Sequence, residues 1–499
     1  MSTDPLQADY LVIGTGASAM AFVDTLLSED AEASVLMVDR HHRPGGHWND
    51  AYAFVRLHQP SEFYGVASRE LGQGRKDEVG ANAGLYGLAS GAEVLAHFDR
   101  VMQQRFLPSG RVRWLPMTDC MTDCMTDRTG PADADAGAGM VHTLRCLTTG
   151  DTRQVQATRK IVDGTQAQTA VPSTHAPRYA VAPGMTCVPL NHLPQIRQAY
   201  GCYTVVGSGK TGMDAILWLL ENGAEPARVR WIMPHDAWLL DRANMQPGAE
   251  NAERSLAAVI GQAECIAEAE SVPDLMARLE ARGLLMRIDP QVTPTRYRCA
   301  SVSRAELSEL RRVKDVVRLG HVRSIEPARI VLDQGSVPAA RDTLYIDCSA
   351  SALNTPRATR VFDGNRINLL LLRTCQPVFS AAQIAWVESH VSDPAEKAAM
   401  CTVVPLPNVP ADFVSMWAAT AQNTGRSRQN AALGAWLMQC RLNAIGLFLR
   451  GLPLDDPRRE SLLHRMQQSA AAARARLPAL MAVTGTAGLF CQHERTSRQ

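Results

Sequence analysis

The chain has almost no net charge: 51 Lys and Arg stand against 50 Asp and Glu, for +1 at pH 7. That balance excludes the electrostatic footprint of a nucleic-acid binder or of a protein that adheres to an anionic membrane. Long apolar runs are also missing. Nothing approaches the roughly 18 consecutive apolar residues of a membrane-spanning helix, so no membrane partner is expected. Met1–Pro5 carries no basic segment before an apolar stretch, which argues against a secretory signal. The first strand starts by residue 10, which leaves no room for a transit peptide. The 12 cysteines follow neither a zinc-ligand spacing nor a secreted disulfide framework. No metal is expected, and the cytoplasm is the expected compartment. Cys120 and Cys124 fall in a tandem repeat of Met-Thr-Asp-Cys over 117–127, followed by a Gly- and Ala-rich stretch from Gly130 to Gly139. A slipped repeat in a surface hairpin explains this more simply than a redox disulfide.

Against these absences stand two glycine loops, about 190 residues apart. The first is Gly14-Thr15-Gly16-Ala17-Ser18-Ala19, after the apolar run Tyr10–Ile13. The second is Gly207-Ser208-Gly209-Lys210-Thr211-Gly212, after Tyr203–Val206. Each sits where a strand should turn into a helix, which is the context of a dinucleotide-binding loop. The first glycine permits the turn, the second admits the pyrophosphate, and the third small residue lets helix and strand pack closely. The helix N-terminus then offers free N–H groups and the positive end of a dipole. Two such loops suggest two bound dinucleotides and electron transfer between a nicotinamide and a flavin.

The first loop has further support. Val35–Val38 reads as a second strand ending at Asp39, whose carboxylate suits ribose hydroxyls and would repel a 2′-phosphate. FAD or NAD fits there, and NADP does not. Arg40 follows, and Gly45-Gly46-His47-Trp48 comes shortly after. Adjacent glycines let backbone pass close to a flat ring system.

Length and pattern give an α/β chain with two Rossmann-like dinucleotide-binding domains and a mostly helical C-terminal region. The expected organisation is an FAD domain over 1–170, a proline-punctuated linker over 171–200 and an NAD(P)H domain over 201–340. The FAD domain then resumes over 341–390, and helices fill 391–499. Met20, Val23, Leu26 and Leu27 mark one face of the first helix; Met213, Ile216, Leu217 and Leu220 mark one face of the second. Further helices are predicted near 91–105, 252–267 and 273–283, the last with Ser271 as N-cap, and up to about 390. Leu344–Cys348 reads as the strand that returns to the FAD domain. The apolar stretch 431–450 has only Arg441 and Arg450 as cations, so internal or subunit packing, including a homodimer, accounts for it better than a membrane surface.

From Gly45-Gly46-His47-Trp48 onward the chain resembles the class B flavoprotein monooxygenases: flavin-containing, Baeyer–Villiger and N-hydroxylating monooxygenases. Tyr52–Arg56 and Pro60-Ser61-Glu62-Phe63-Tyr64 are similar to runs that follow the tryptophan in that family. The second loop with Met213-Asp214-Ala215 is similar to its NADPH loop, with Thr211 in place of Ser. Trp238 and Arg242 resemble a Trp and an Arg after the second strand of its NADPH domain. The resemblance weakens after about residue 245. The family's Phe-x-Gly-x-x-x-His signature is absent, with His192 as a remnant or an ordinary loop histidine. His58 stands where Baeyer–Villiger enzymes carry an acid.

The resemblance implies FAD, NADPH (or NADH), molecular oxygen and a small organic substrate oxygenated through a hydroperoxyflavin. A flavin oxidase or dehydrogenase with a vestigial nicotinamide site, or a non-catalytic FAD/NAD(P)-binding protein, are the alternatives. Arg56 is the candidate catalytic cation, or else a structural partner of a carboxylate or phosphate. Lys210 and Thr211 are candidate contacts for the second dinucleotide. The strand ending Ile232-Met233-Pro234-His235 lacks the acid that favours NAD, which tilts the second site toward NADPH, with His235, Arg228 and Arg242 as candidate 2′-phosphate partners.

Overall fold

The computed structural model describes residues 5–121, 141–350, 356 and 358–483. Its centre is a parallel sheet of the strands Arg366–Asn368, Thr152–Asp163, Leu6–Ile13, Val35–Val38 and Val112–Leu115, in that spatial order. Leu6–Ile13 pairs with Val35–Val38 in register Tyr10↔Val35 through Ile13↔Val38. All four residues of Val35–Val38 are buried, as a strand covered on both faces requires. The helix Ala17–Glu29 covers one face and buries Met20, Val23, Leu26 and Leu27, the predicted set. Helix Pro377–His390 packs beside it. Each Leu, Val, Ile or Phe so buried contributes about 1.5–3 kcal/mol.

Helix Gly91–Val101 starts where the sequence says it should. Ser90 and Glu93 form a reciprocal capping box there. Helical backbone runs on to Ser109 and stops at Gly110, with φ 71°. Strand Thr118–Cys120, inside the first copy of the tandem repeat, pairs antiparallel with Val141–Cys146 beyond it. Cys124 lies outside the described residues. Cys120 is disulfide-bonded.

A second parallel sheet holds Thr186–Pro189, Thr343–Asp347, Cys202–Val206, Val229–Ile232 and Asp315–Val317. Helix Lys210–Glu221 packs on it through Met213, Ile216 and Leu217. A three-stranded sheet (Leu285–Met286, Ala237–Asp241, Arg296–Val302) and a four-stranded one (Gly335–Pro338, Arg329–Leu332, Val322–Ile325, Ala180–Val181) complete this unit. Helices Ala249–Glu268 and Val272–Ala281 match the expected stretches to within three residues at each end, and Ser271 caps the second by accepting from the Asp274 N–H.

Three sequence boundaries need correction. Thr343–Asp347 does not return to the first sheet; it pairs with Cys202–Val206, so the unit expected to end at 340 extends through Asp347. The run is buried throughout, and such a run fits the middle of either sheet. The chain re-enters the first sheet at Arg366–Asn368. The linker expected over 171–200 contributes Ala180–Val181 and Thr186–Pro189 to the second unit. Pro189 is compatible with a strand because Thr186–Pro189 lies at a sheet edge, where a ladder N–H is dispensable.

The C-terminal region is helical over Pro394–Met400, Asp412–Gln429, Ala431–Gln439, Ala444–Arg450 and Pro457–Val483. No single described helix is long and apolar enough to cross a membrane. Ala431–Gln439 and Ala444–Arg450 reach that length and composition only together, and they meet at a 73° bend. Leu433, Leu437, Phe448 and Leu449 of these helices, with Cys440 and Leu442 between them, are buried within the chain, while Met438 is exposed.

Candidate functional site

Both glycine loops lie at the C-terminal ends of central parallel strands, where open α/β sheets form ligand crevices. Gly14 has φ 91°, a conformation that favours glycine. A Cβ on Gly16 would meet only the Gly46 Cα within 4 Å, at 3.8 Å. Ala19 is wholly buried, and a Cβ on Gly164 would come within 3.0 Å of its side chain. In the second loop Gly207 has φ 125°, and a Cβ on Gly212 would fall 2.2 Å from the Gly207 carbonyl oxygen. A Cβ on Gly209 meets nothing within 4 Å. The third position therefore serves helix–strand packing and the second faces open space, as the pyrophosphate-binding role requires. Gly16 and Gly209 are also the N-caps of their helices, and neither helix has a side-chain cap. The N–H groups around Ala17–Ala19 and Lys210–Gly212 open these helices. Both loops thus fit a dinucleotide pyrophosphate.

The Gly-Gly segment closes over the first loop. Gly45 N–H donates to the Thr15 carbonyl at 2.9 Å, and a Cβ on Gly46 would sit 2.9 Å from Gly16 Cα. His47 stacks on Trp48, whose Nε1 donates to the Tyr64 hydroxyl at 2.9 Å. Burial pushes the His47 imidazole down to about 4, so it is neutral near pH 7.

Asp39 is more occupied than the sequence suggests. One carboxylate oxygen accepts from Thr15 N (2.5 Å) and Thr15 Oγ1 (2.7 Å). The other accepts from His41 N and His41 Nδ1, both at 2.8 Å. Four donors match the lone-pair sites of a carboxylate. A ribose hydroxyl reaching Asp39 must therefore displace or share one of them. His41 also contacts Asp50 Oδ2 at 2.9 Å, and hydrogen bonding to the two carboxylates, Asp39 first, raises it to about 9. Arg40 is 72% exposed on its side chain, with its guanidinium 3.8 Å from Asp119.

The second loop is joined to the first unit. The buried Tyr52 hydroxyl donates to Asp214 Oδ2 at 2.5 Å, and Lys210 donates to Asp214 Oδ1. Phe54 stacks on Trp218 with ring centroids 5.5 Å apart. Lys210 is thus half-buried and neutralised by its own helix, an i,i+4 pair across the first turn. His58 lies against this group. Burial, then the positive charges of Lys210 and Arg242, depress it to about 3. Ser208 and Thr211 remain partly accessible at the loop.

Several sequence assignments are corrected. The Arg56 side chain is 59% exposed, and its guanidinium lies 3.7 Å from Asp77, the carboxylate partner that a structural role calls for. Strand-like alternation turns its neighbour Leu57 inward and Arg56 outward. Arg242 is 1% exposed and fully engaged by His58 O, Asn82 Oδ1 (2.7 Å), Ser301 O and Glu306 Oε2 (2.6 Å). It holds the first unit's 58–82 segment to the second and is not available to a phosphate. Arg228 precedes strand Val229–Ile232 and pairs with Glu225 at the end of the sheet away from the loop. His192 is exposed on a short 3₁₀ helix, as an ordinary loop histidine would be.

His235 has partners that the sequence does not reveal. It lies just past strand Val229–Ile232, 3.0 Å from the Arg296 guanidinium and 5.4 Å, ring to ring, from His321. Arg298 follows on the same face of strand Arg296–Val302 and donates to Asn408 Oδ1. Neither Arg296 nor Arg298 forms a salt bridge among the described residues. Burial and then Arg296 lower the His235 imidazole, while burial and Arg296 also lower Arg298. Arg296 and Arg298 lie some 60 residues beyond His235, and no short motif links them. No group of three or more His, Cys, Asp or Glu is placed to hold a metal among the described residues.

No family model matches the chain. A polycyclic ketone monooxygenase from the thermophilic fungus Thermothelomyces thermophila shares its fold with a TM-score of 0.50 at 11% identity, over 98% of this chain and 90% of that one. The likeness is one of fold: parallel sheets with helices on their faces, in a two-unit arrangement. The chain is 44% identical over 482 residues to the uncharacterized proteins Rv2000 of Mycobacterium tuberculosis (strain ATCC 25618 / H37Rv) and Mb2023 of Mycobacterium bovis, covering 96% of this chain and 86% of each relative. Two glycine loops on two parallel sheets, carried on a sequence this close over nearly its whole length, place the chain in the family of these mycobacterial proteins.

Proposed function

We propose that the chain binds FAD at the first loop and NADPH at the second, and that it oxygenates a small organic molecule with molecular oxygen. The observation that carries this reading is the pairing of the two open-faced glycine loops in one chain, joined through Tyr52 and Asp214. Gly14, Gly16 and the N–H groups of Ala17, Ser18 and Ala19 would hold the FAD pyrophosphate. Asp39 would face the adenosine ribose by exchanging a Thr15 or His41 donor, and Gly45–Trp48 would pass close to the ring system. Gly207, Ser208, Gly209, Thr211 and Gly212 would receive the pyrophosphate of NADPH. Arg296 and Arg298, with His235 and His321, supply the unpaired charge that a 2′-phosphate requires. When bound, FAD supplies acceptance of a hydride from the nicotinamide and activation of oxygen.

The chain's own groups orient and shield. Tyr52 holds its proton toward Asp214, Lys210 neutralises Asp214, and His58 stays uncharged between two cations. The pairing of Arg56 with Asp77 gives it a structural role in place of the catalytic one, which is the observation that favours an oxidase or dehydrogenase as the second reading. An oxygenation assay over amine, sulfide and ketone panels separates the two. NADPH-dependent incorporation of one oxygen atom supports the monooxygenase, whereas peroxide formation alone supports the oxidase.

A further inference from the structure

Strand Arg296–Val302 carries a feature that the cofactor sites do not use. Cys299 is joined to Cys375 by a disulfide, with Cα atoms 6.5 Å apart and a sequence separation of 76. Cys299 belongs to the second unit. Cys375 lies in the first, between Arg366–Asn368 and helix Pro377–His390. The two residues share an unusual backbone: φ is 57° at Cys299 and 53° at Cys375, the left-handed region that favours glycine. Cys299 also sits in a bulge. Trp238 pairs with Tyr297 and Leu240 pairs with Ser301, so three residues of the strand oppose one of its neighbour. Alternation turns Tyr297 and Cys299 into the core and Arg296 and Arg298 away from it. The disulfide therefore grips the back of the strand whose front presents the Arg296 and Arg298 guanidiniums, neither in a salt bridge among the described residues.

The other buried thiols are chemically quiet. Burial raises Cys265 to about 11, and it also raises Cys348, Cys401 and Cys440. Cys375 is partly exposed, so a small reagent has a route to the pair.

We propose that Cys299 and Cys375 are a reversible thiol–disulfide site that fastens the phosphate-facing strand of the second unit to the first unit. In the oxidising direction the two thiols give up two protons and two electrons, and one hydrogen peroxide takes them and leaves as two waters. In the reducing direction a dithiol donates two electrons and two protons, the S–S bond opens to two thiols, and the dithiol becomes a disulfide. Closed, the bond holds Arg296 and Arg298 beside His235. Open, the bulge loses its fastening and the strand loosens. The link to phosphate rests on the proposed NADPH site; the fastening itself does not.

The test uses the full-length protein, treated with hydrogen peroxide or with a dithiol and then alkylated. Non-reducing digestion should give one linked peptide pair containing Cys299 and Cys375 after peroxide, and two separately alkylated peptides after dithiol. Amide hydrogen exchange over 296–302 should be at least 10-fold faster in the reduced protein and in Cys375→Ser. Helix 17–29 should be unchanged and serves as the control for folding. NADPH should dissociate about 10-fold more readily from the reduced form, with NADH unaffected. Absence of the linked pair after peroxide, or equal exchange in both forms, overturns the proposal. Linked peptides and faster exchange with no binding of NADPH to either form uphold the fastening and overturn the cofactor reading instead.

Discussion

The two glycine loops are built alike and finished differently. Each has a left-handed first glycine, an open second glycine, a small third residue and an uncapped helix. Beyond the second strand they part. The first loop is followed by Asp39, held by Thr15 and by a charged His41 that also reaches Asp50. The second is followed by His235, Arg296, Arg298 and His321, with no carboxylate paired to either arginine among the described residues. On the proposed reading, the scaffold that would receive a pyrophosphate is separate from the strand-end chemistry that would decide which dinucleotide is received. An acid excludes a 2′-phosphate and a cationic cluster invites one.

The largest effect should come from filling an open glycine. Gly16→Val should fold, since its Cβ has only Gly46 nearby, yet purify without flavin; Gly209→Val should keep the flavin and lose reduction by NADPH. Flavin absorbance per protein reads both. Full occupancy in Gly16→Val would break the assignment of the first loop. Gly212→Ala is different in kind. Its Cβ collides with the Gly207 carbonyl, so it should lower the thermal midpoint of the second unit by overpacking, at a cost of about 1–3 kcal/mol.

Next in size is the strand-end cluster. Arg296→Ala together with Arg298→Ala should weaken NADPH about 100-fold, near 3 kcal/mol for charge-assisted hydrogen bonds, and leave NADH within a factor of two. Titration calorimetry with both dinucleotides measures this. Equal losses for the two would show that the cluster does not read the 2′-phosphate.

The two histidines of the first site offer a smaller, pH-dependent contrast. His41 is raised from 6.5 to about 9 in the folded chain. Between those values the folded state holds more proton than the unfolded one, so this contribution is complete below about 6.5 and is lost as pH rises through 9. His47 is depressed from 6.5 to about 4. There the unfolded state binds more proton, so its contribution is complete above about 6.5 and is lost as pH falls toward 4. Urea denaturation against pH should show stability falling on both sides. His41→Ala should flatten the alkaline limb and His47→Phe the acid one. An unchanged alkaline limb in His41→Ala would remove the Asp39–His41–Asp50 bridge from the account.

The smallest effect belongs to Arg56. Its exposure predicts that Arg56→Ala changes stability by less than about 0.5 kcal/mol and leaves flavin reduction unaltered. Stopped-flow reduction checks it, and a loss of 10-fold or more would restore Arg56 to the crevice.

Local signals were the legible ones. The glycine loops, the apolar faces of both nucleotide helices and the Ser271 cap follow from neighbours within a turn or a strand, and sequence shows them directly. Which sheet a strand joins is a long-range choice. Leu344–Cys348 and Ile367–Leu372 are both apolar and of strand length, and nothing local distinguishes the one that returns to the first sheet. The partners of single side chains are hidden for the same reason. Type and position make Arg242 a phosphate candidate, but its partners Asn82, Ser301 and Glu306 come from three distant segments. Arg296 and Arg298 reach His235 only because Arg296–Val302 pairs with Ala237–Asp241. Cys299 and Cys375 meet across two units, and a separation of 76 residues forms no motif.

The most direct test of the two-dinucleotide account is the visible spectrum of the purified protein under anaerobic titration with NADPH. The account predicts a yellow protein with about one FAD per chain, bleached by one equivalent of NADPH and far more slowly by NADH. A colourless protein that takes up no added FAD, or a flavin that neither nicotinamide reduces, would contradict it.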